Sequence, residues 1–348
     1  MKRWLKISGL VGVAVLLVLG VAISATVGWR PFLGPSARAL TDRSFERTPA
    51  RLARGKYLVE AVNGCLGCHS EVDAKTPAMP PKAGREGAGL VWAEHGMPWL
   101  VAPNITPDPE TGAGRWSDDA LARAIREGVG HDGRALFPVM PYERYRTMSD
   151  EDLASVIVYI RSLSPVRNAL PLSAPPFPVN RLINGVPQPI LEPVPAPDLS
   201  TPEKRGKYLV TMGACSDCHS PMDAHGQRIA GLEFAGGFPL ENPNGKKTSA
   251  NLTPDPSGIP YYDEALFVEV MRTGKVKARE LHSVMPWGYY RHMTDEDLKS
   301  IFAYLKTLAP VSHKIDNTEP PTFCRRCNSK HGLGELNQPP GVDNHSGS

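Results

Sequence analysis

The sequence predicts a mostly α-helical chain of two tandem domains, each of about 110 residues, set behind an N-terminal transmembrane helix. Three observations carry this expectation. Residues 54–166 recur as one long repeat in residues 205–311, helix-start and helix-stop signals fall at matching places in both copies, and Ile7–Val27 carries no charge.

The N-terminal element comes first. Lys2, Arg3 and Lys6 precede 21 uncharged residues, which as a helix would span about 30 Å, the thickness of a bilayer's hydrocarbon core. Residues 1–30 are therefore read as a retained anchor. The alternative is a cleaved signal peptide, for which Ala22-Ile23-Ser24 supplies small residues. Both readings export the chain, which would put the domains in the periplasm, on the inner membrane of a bacterium if the anchor is kept. The net charge is +3, but residues 1–53 contribute +6 and residues 54–166 contribute −3. A basic excess confined to the N-terminal segment gives a nucleic-acid partner no support.

The repeat is specific. Arg54-Gly55-Lys56-Tyr57-Leu58-Val59 returns as Arg205-Gly206-Lys207-Tyr208-Leu209-Val210, and Asn104-Ile105-Thr106-Pro107-Asp108 returns as Asn251-Leu252-Thr253-Pro254-Asp255. In each copy a first helix leads into a cysteine motif, and the second copy opens it with Thr201-Pro202, an N-cap followed by proline. A middle helix starts near Ser117 and Asp263 and stops at Gly128 and Gly274. The last helix starts at Ser149 and Thr294, with Asp152 and Asp297 as capping-box acids. Its apolar stripe is Leu153, Val156, Ile157, Ile160 in one copy and Leu298, Ile301, Phe302, Leu305 in the other. Domain 1 then covers 50–166 and domain 2 covers 201–311, with a tail at 312–348. Residues 167–200, with nine prolines between Pro171 and Pro197, form a linker that is either a semi-rigid strap or a loose tether.

Cys65-Leu66-Gly67-Cys68-His69 and Cys215-Ser216-Asp217-Cys218-His219 read as attachment sites for haem c. Cysteines one helical turn apart can form thioethers to the two vinyl groups on one haem edge, and the adjoining histidine offers an imidazole to iron. A zinc half-site would need a second Cys or His pair, and a redox dithiol would follow a strand in a β-α-β unit; neither context accompanies these motifs. The expected cofactors are two covalently bound haem c groups, held by Cys65, Cys68, Cys215 and Cys218, with His69 and His219 on iron.

A sixth ligand needed by both irons should occur at matching positions. Met140 pairs with Met285, and Met148 with Met293. If Ser149 and Thr294 are N-caps, Met148 and Met293 sit at N′ opposite Leu153 and Leu298 at N4, a hydrophobic staple. Met140 and Met285, each followed by proline and so outside a helix, are the expected ligands; methionine sulfur raises a haem potential.

Unmatched residues are read as surface, core or packing groups: His95, His131, His225, His282, His292, His313, Met79 and Met97. Trp92, Trp99, Trp116 and Trp287 suit either a porphyrin face or an ordinary core. Arg126 and Arg272 align and are read as a solvated helix face, with haem propionates as the other possibility. Cys324-Arg325-Arg326-Cys327-Asn328 lacks the histidine of the two motifs. A Cys324–Cys327 disulfide is expected in an oxidising compartment, with a metal site using His331 as the lesser alternative.

With these motifs in view, the chain resembles the multihaem cytochrome c subunits of membrane-bound bacterial dehydrogenases acting on alcohols and gluconate. The resemblance rests on the Arg-Gly-Lys-Tyr-Leu-Val helices, the Asn-Ile/Leu-Thr-Pro-Asp loops, the Met-Pro-Tyr/Trp loops and the Asp-Glu-Asp-Leu helices, spanning residues 54–311. It implies cytochrome c-like domains with His69 and His219 proximal and Met140 and Met285 distal to iron. Many such subunits have three domains, and this chain shows two. The expected function is single-electron relay from a dehydrogenase or other redox protein to a respiratory-chain acceptor, with no catalysis by the chain itself. The alternatives are a dihaem peroxidase or sulfur-compound oxidase, which needs one open iron site, and a cytochrome that docks to a terminal oxidase.

Overall fold

The computed structural model describes residues 2–93, 96–223, 226–242 and 244–338. Thirteen α-helices lie among these residues, and helix of all kinds, π- and 3-10-helical turns included, makes up 36% of the chain, with four two-stranded antiparallel ribbons beside the helices. The mostly-α expectation is corrected accordingly. Helix is the main regular element, but 35 prolines, which break backbone ladders, leave more loop than helix.

The transmembrane expectation is also corrected: no helix among the described residues is long and apolar enough to cross a membrane. The N-terminal helix runs Lys2–Ala25 and stops two residues before the uncharged stretch does.

By packing, the chain divides into two compact units. The first comprises residues 1–44, 116–146 and 174–193. Its longest helix after the N-terminal one is Asp118–Glu127, capped by the Ser117 hydroxyl and ended by Gly128 in a left-handed conformation at φ 75°. Asp119, fully buried in the first turn, takes two hydrogen bonds of 2.7 Å from the Arg38 guanidinium, whose Nε also donates to Glu127 at 2.9 Å. In the linker part of this unit, Arg146 donates to the Gln188 carbonyl.

The second unit comprises residues 45–115, 147–173 and 194–348. Its centre is two copies of one helix pair. Helix Pro49–Tyr57, extended by a π-helical turn Leu58–Val62, packs on Asp150–Ile160, and helix Pro202–Met212 packs on Asp295–Lys306. The predicted caps form: Thr201, Ser149 and Thr294 accept from the amides of Lys204, Asp152 and Asp297. Asp263 and Gly274 bound helix Glu264–Thr273 as expected. Both predicted stripes are buried, with Leu153, Ile157 and Leu298 fully so. Met148 and Met293, at 0% and 3% exposure, occupy the staple position.

Two linker ends lie on this unit. Asn168 donates to the Ala88 carbonyl at 2.8 Å, Ser173 bonds Val101 in both directions, and Val194 and Asp150 exchange two bonds. These two ends of the linker are held down on the unit by hydrogen bonds.

Candidate functional site

Each cysteine motif is a short helix entered through a left-handed residue. Gly64 at φ 59° precedes Cys65–Cys68, and Ala214 at φ 52° precedes Cys215–His219. The four thiols are free, Cys68 exposed and the other three half-buried, and desolvation by the surrounding protein pushes Cys65 and Cys215 up to about 12 and Cys68 and Cys218 up to about 11. A reactive dithiol would have the opposite shift. The two motifs lie near one another within the unit: a carbon added at Gly213, two residues before Cys215, would lie 3.5 Å from the carbonyl oxygen of Val62, three residues before Cys65.

The histidines are held alike. His69 donates from Nδ1 to the Pro103 carbonyl at 2.9 Å, and His219 from Nδ1 to the Ala250 carbonyl at 2.7 Å. That bond fixes the tautomer and leaves Nε2 as a bare donor for a metal. Burial, 9% and 8% exposure respectively, keeps both imidazoles neutral.

Why the Asn-x-Thr-Pro-Asp sequence repeats is now visible. Asn104 donates to the Val166 carbonyl at 2.7 Å and accepts from the Thr106 amide and hydroxyl; Asn251 does the same with Val311 and Thr253. Each loop is thereby pinned to the chain leaving the last helix, and it carries the carbonyl that orients the histidine. The histidine's own carbonyl is tied as well, accepting from Gly89 in one copy and Gly236 in the other.

Met140 and Met285 lie in matching bends outside any helix. The following prolines share φ −79° and ψ 45°, and each methionine carbonyl accepts from the residue two positions on at 2.8 Å. Both side chains are half-buried, unlike the enclosed Met148 and Met293. Trp287, two residues after Met285, is buried with an indole N–H that has no acceptor among the described residues. A buried donor of that kind calls for an acceptor from outside the chain, as the carboxylates of a porphyrin would supply. With paired thiols, bare imidazole nitrogens and thioether sulfurs, the donor set fits haem c.

Of the remaining readings, that of Arg126 needs adjustment. Arg126 is 3% exposed, so it does not lie on a solvated face, and Arg272 pairs with Asp295 at 2.5 Å. His131 stacks on Trp116 at 4.2 Å, His282 bonds the Asn244 carbonyl, and His292 is exposed. Met79 is buried with its sulfur 3.4 Å from Asn242 Nδ2, and Met97 is half-buried. Trp92, Trp99 and Trp116 are half-buried. His313 is fully buried. His95 and His225 lie outside the described residues.

One set of residues escaped sequence reasoning. Asp152 and Asp297 do not reach back as capping-box acids; they join the copies. Asp152 pairs with Arg54 at 2.8 Å and accepts from Tyr208 Oη at 2.6 Å, while Asp297 pairs with Arg205 at 2.5 Å and accepts from Tyr57 Oη. The amide of Thr294, which a capping box would satisfy, donates to Tyr57 Oη instead. Burial and the carboxylate beside it push the Tyr57 phenol up to about 12, and the same causes raise Tyr208. Both phenols therefore stay donors at neutral pH. The recurrence of Tyr57/Tyr208 and Asp152/Asp297 in both copies was the available signal. Tyr208→Phe is expected to lower stability by about 2 kcal/mol, the loss of a charge-assisted hydrogen bond, read as a reduced urea midpoint with an unchanged slope.

Duplicated Cys-x-x-Cys-His helices, carbonyl-oriented histidines and matched methionine loops define the class of c-type cytochromes. The cytochrome c family profile matches residues 52–164. The chain is 30% identical over 268 residues to "Diheme cytochrome c-type" of Cereibacter sphaeroides, covering 74% of this chain and 86% of that one. It is 35% identical over 271 residues to a nicotinate dehydrogenase component of Pseudomonas putida, covering 74% of this chain and 21% of that one. It is 30% identical over 297 residues to the gluconate 2-dehydrogenase cytochrome c subunit of Pantoea cypripedii, covering 78% and 62%. The chain belongs to the cytochrome c family, whose cofactor is haem c. It spans about a fifth of the nicotinate dehydrogenase component and less than two thirds of the gluconate dehydrogenase one.

Proposed function

We propose that this protein is a dihaem electron-transfer subunit, working in the periplasm between a dehydrogenase and a respiratory-chain acceptor. The observation that carries the reading is the duplicated support of the histidines: His69 on Pro103 and His219 on Ala250, each with two thiols one turn away. Haem c supplies a reversible one-electron couple when attached. Cys65 and Cys68 would hold one group and Cys215 and Cys218 the other, with His69 and His219 as proximal ligands and Met140 and Met285 as distal ones. The half-burial of that methionine pair, against the enclosure of Met148 and Met293, supports the choice.

The proximity of the two motifs supports passage of an electron between them. Tyr289 packs over Gly67 and donates to the Met79 carbonyl at 3.2 Å, and Tyr290 donates to the Gly213 carbonyl at 2.8 Å. The segment after Met285 thus adjoins both motifs. A dehydrogenase partner is supported by the names of the relatives. Redox titration is expected to show two one-electron steps, and ferric protein the weak long-wavelength band of methionine ligation. Met140→Ala and Met285→Ala should each remove part of that band and lower one potential; an unchanged band in both variants refutes the ligand assignment.

A further inference from the structure

The tail beyond the second copy holds a group that electron transfer does not use. Residues Pro321–Cys324 and Ser329–Gly332 pair as an antiparallel ribbon, and the turn between them places Cys324 beside Cys327. His331 stands on the returning strand, and His313 comes in from the chain that precedes the ribbon. All four residues are at most 1% exposed, and one ligand atom from each lies within 4.8 Å of all the others. Cys324 Sγ is 3.4 Å from His313 Nε2, and Cys327 Sγ is 3.4 Å from His331 Nε2.

Both imidazoles are oriented from behind. His313 donates from Nδ1 to the Ala235 carbonyl at 2.9 Å, and His331 from Nδ1 to the Gly332 carbonyl at 3.0 Å. Each therefore turns a bare Nε2 toward a sulfur, the arrangement of a ligating histidine. The rings stand 87° apart with centroids 5.1 Å distant, so they approach one point from different directions. A tetrahedral zinc site with bonds of about 2.3 Å to sulfur and 2.0–2.1 Å to nitrogen has S–N edges of about 3.6 Å. The observed 3.4 Å separations match those edges.

We propose that His313, Cys324, Cys327 and His331 bind one structural Zn²⁺ ion. Binding releases the two thiol protons and leaves a neutral buried centre, two thiolates and two neutral imidazoles around the dication. The expected Cys324–Cys327 disulfide fits less well, because it would leave two buried imidazole lone pairs aimed at uncharged sulfur. Both cysteines are free in the structure.

The ion would clamp the tail to the second copy. Cys324 and Cys327 pack on Leu232 and Ala235, Ser329 Oγ donates to the Gly237 carbonyl, and the amide of Gly236 donates to the His219 carbonyl. The metal therefore braces the loop behind the second Cys-x-x-Cys-His histidine.

The test is metal analysis of the full-length protein, dialysed against metal-free buffer, together with alkylation of its thiols. About one zinc per chain is expected, with Cys324 and Cys327 blocked to alkylation until the protein is denatured with a chelator, when both label. His313→Ala and His331→Ala should reduce retained zinc at least tenfold, and the wild-type stoichiometry tests the proposal even if a variant fails to fold. A zinc-free wild-type protein with Cys324 and Cys327 oxidised to a disulfide overturns it. So does another metal in stoichiometric amount at the site.

Discussion

Gly206→Ala is expected to destabilise the second copy by about 3 kcal/mol or more, the upper range for overpacking a rigid contact. A methyl group at this position would sit 1.9 Å from the Ser300 carbonyl oxygen and 2.8 Å from Tyr304 Cβ. The obstacle is backbone, so no rotamer change relieves it. Gly55 meets Ser155 in the same way, also at 1.9 Å. The two glycines mark where each first helix crosses its last helix most closely, and Gly55→Ala should act equally on the first copy. Gly185→Ala, where nothing lies within 4 Å of the added carbon, should stay within about 0.5 kcal/mol. Urea unfolding followed by far-UV circular dichroism separates the three variants. A Gly206→Ala protein as stable as the Gly185→Ala control would contradict the helix packing.

His219→Ala is expected to have the largest effect on function. It removes the one donor whose orientation the Ala250 carbonyl fixes, while Cys215 and Cys218 still provide two thioether links. The protein should keep its covalent haem but lose the low-spin spectrum at that centre. Electron delivery should fall by at least about a hundredfold, beyond the 10–100-fold typical of disturbing a ligand's outer partners. Asn251→Ala, which frees the loop carrying Ala250 from Val311, should give a smaller loss within that range. Stopped-flow reduction of the purified protein measures both, and a His219→Ala protein with native reduction kinetics and spectrum would exclude His219 as a ligand.

Much of the architecture was legible because its determinants are local. Ser117, Ser149, Thr201, Asp263 and Thr294 bond amides three residues on, and Gly128 and Gly274 close helices by their own left-handed conformation. Each is readable from a few neighbouring positions. What escaped was remote in sequence or had two uses. The carbonyls of Pro103 and Ala250 lie 34 and 31 residues from the histidines they orient, and a carbonyl has no side-chain signature. Asp152 and Asp297 stood where capping-box acids stand, so their bonds to Tyr208 and Tyr57 were hidden behind a sound local explanation.

His313 was passed over for another reason. Comparison of the copies finds only functions present twice, and the tail cluster occurs once. The N-terminal uncharged run is helical as its composition suggests, from Lys2 to Ala25, but no helix among the described residues is long and apolar enough to cross a membrane.

The most direct measurement is the intact mass of the mature protein after acid extraction of non-covalent haem, with peptide mapping of the attachment sites. The expected mass is the polypeptide plus two haem groups, with one modified peptide containing Cys65 and Cys68 and the other Cys215 and Cys218. A mass showing one haem or none, with either cysteine pair unmodified, would contradict the dihaem reading.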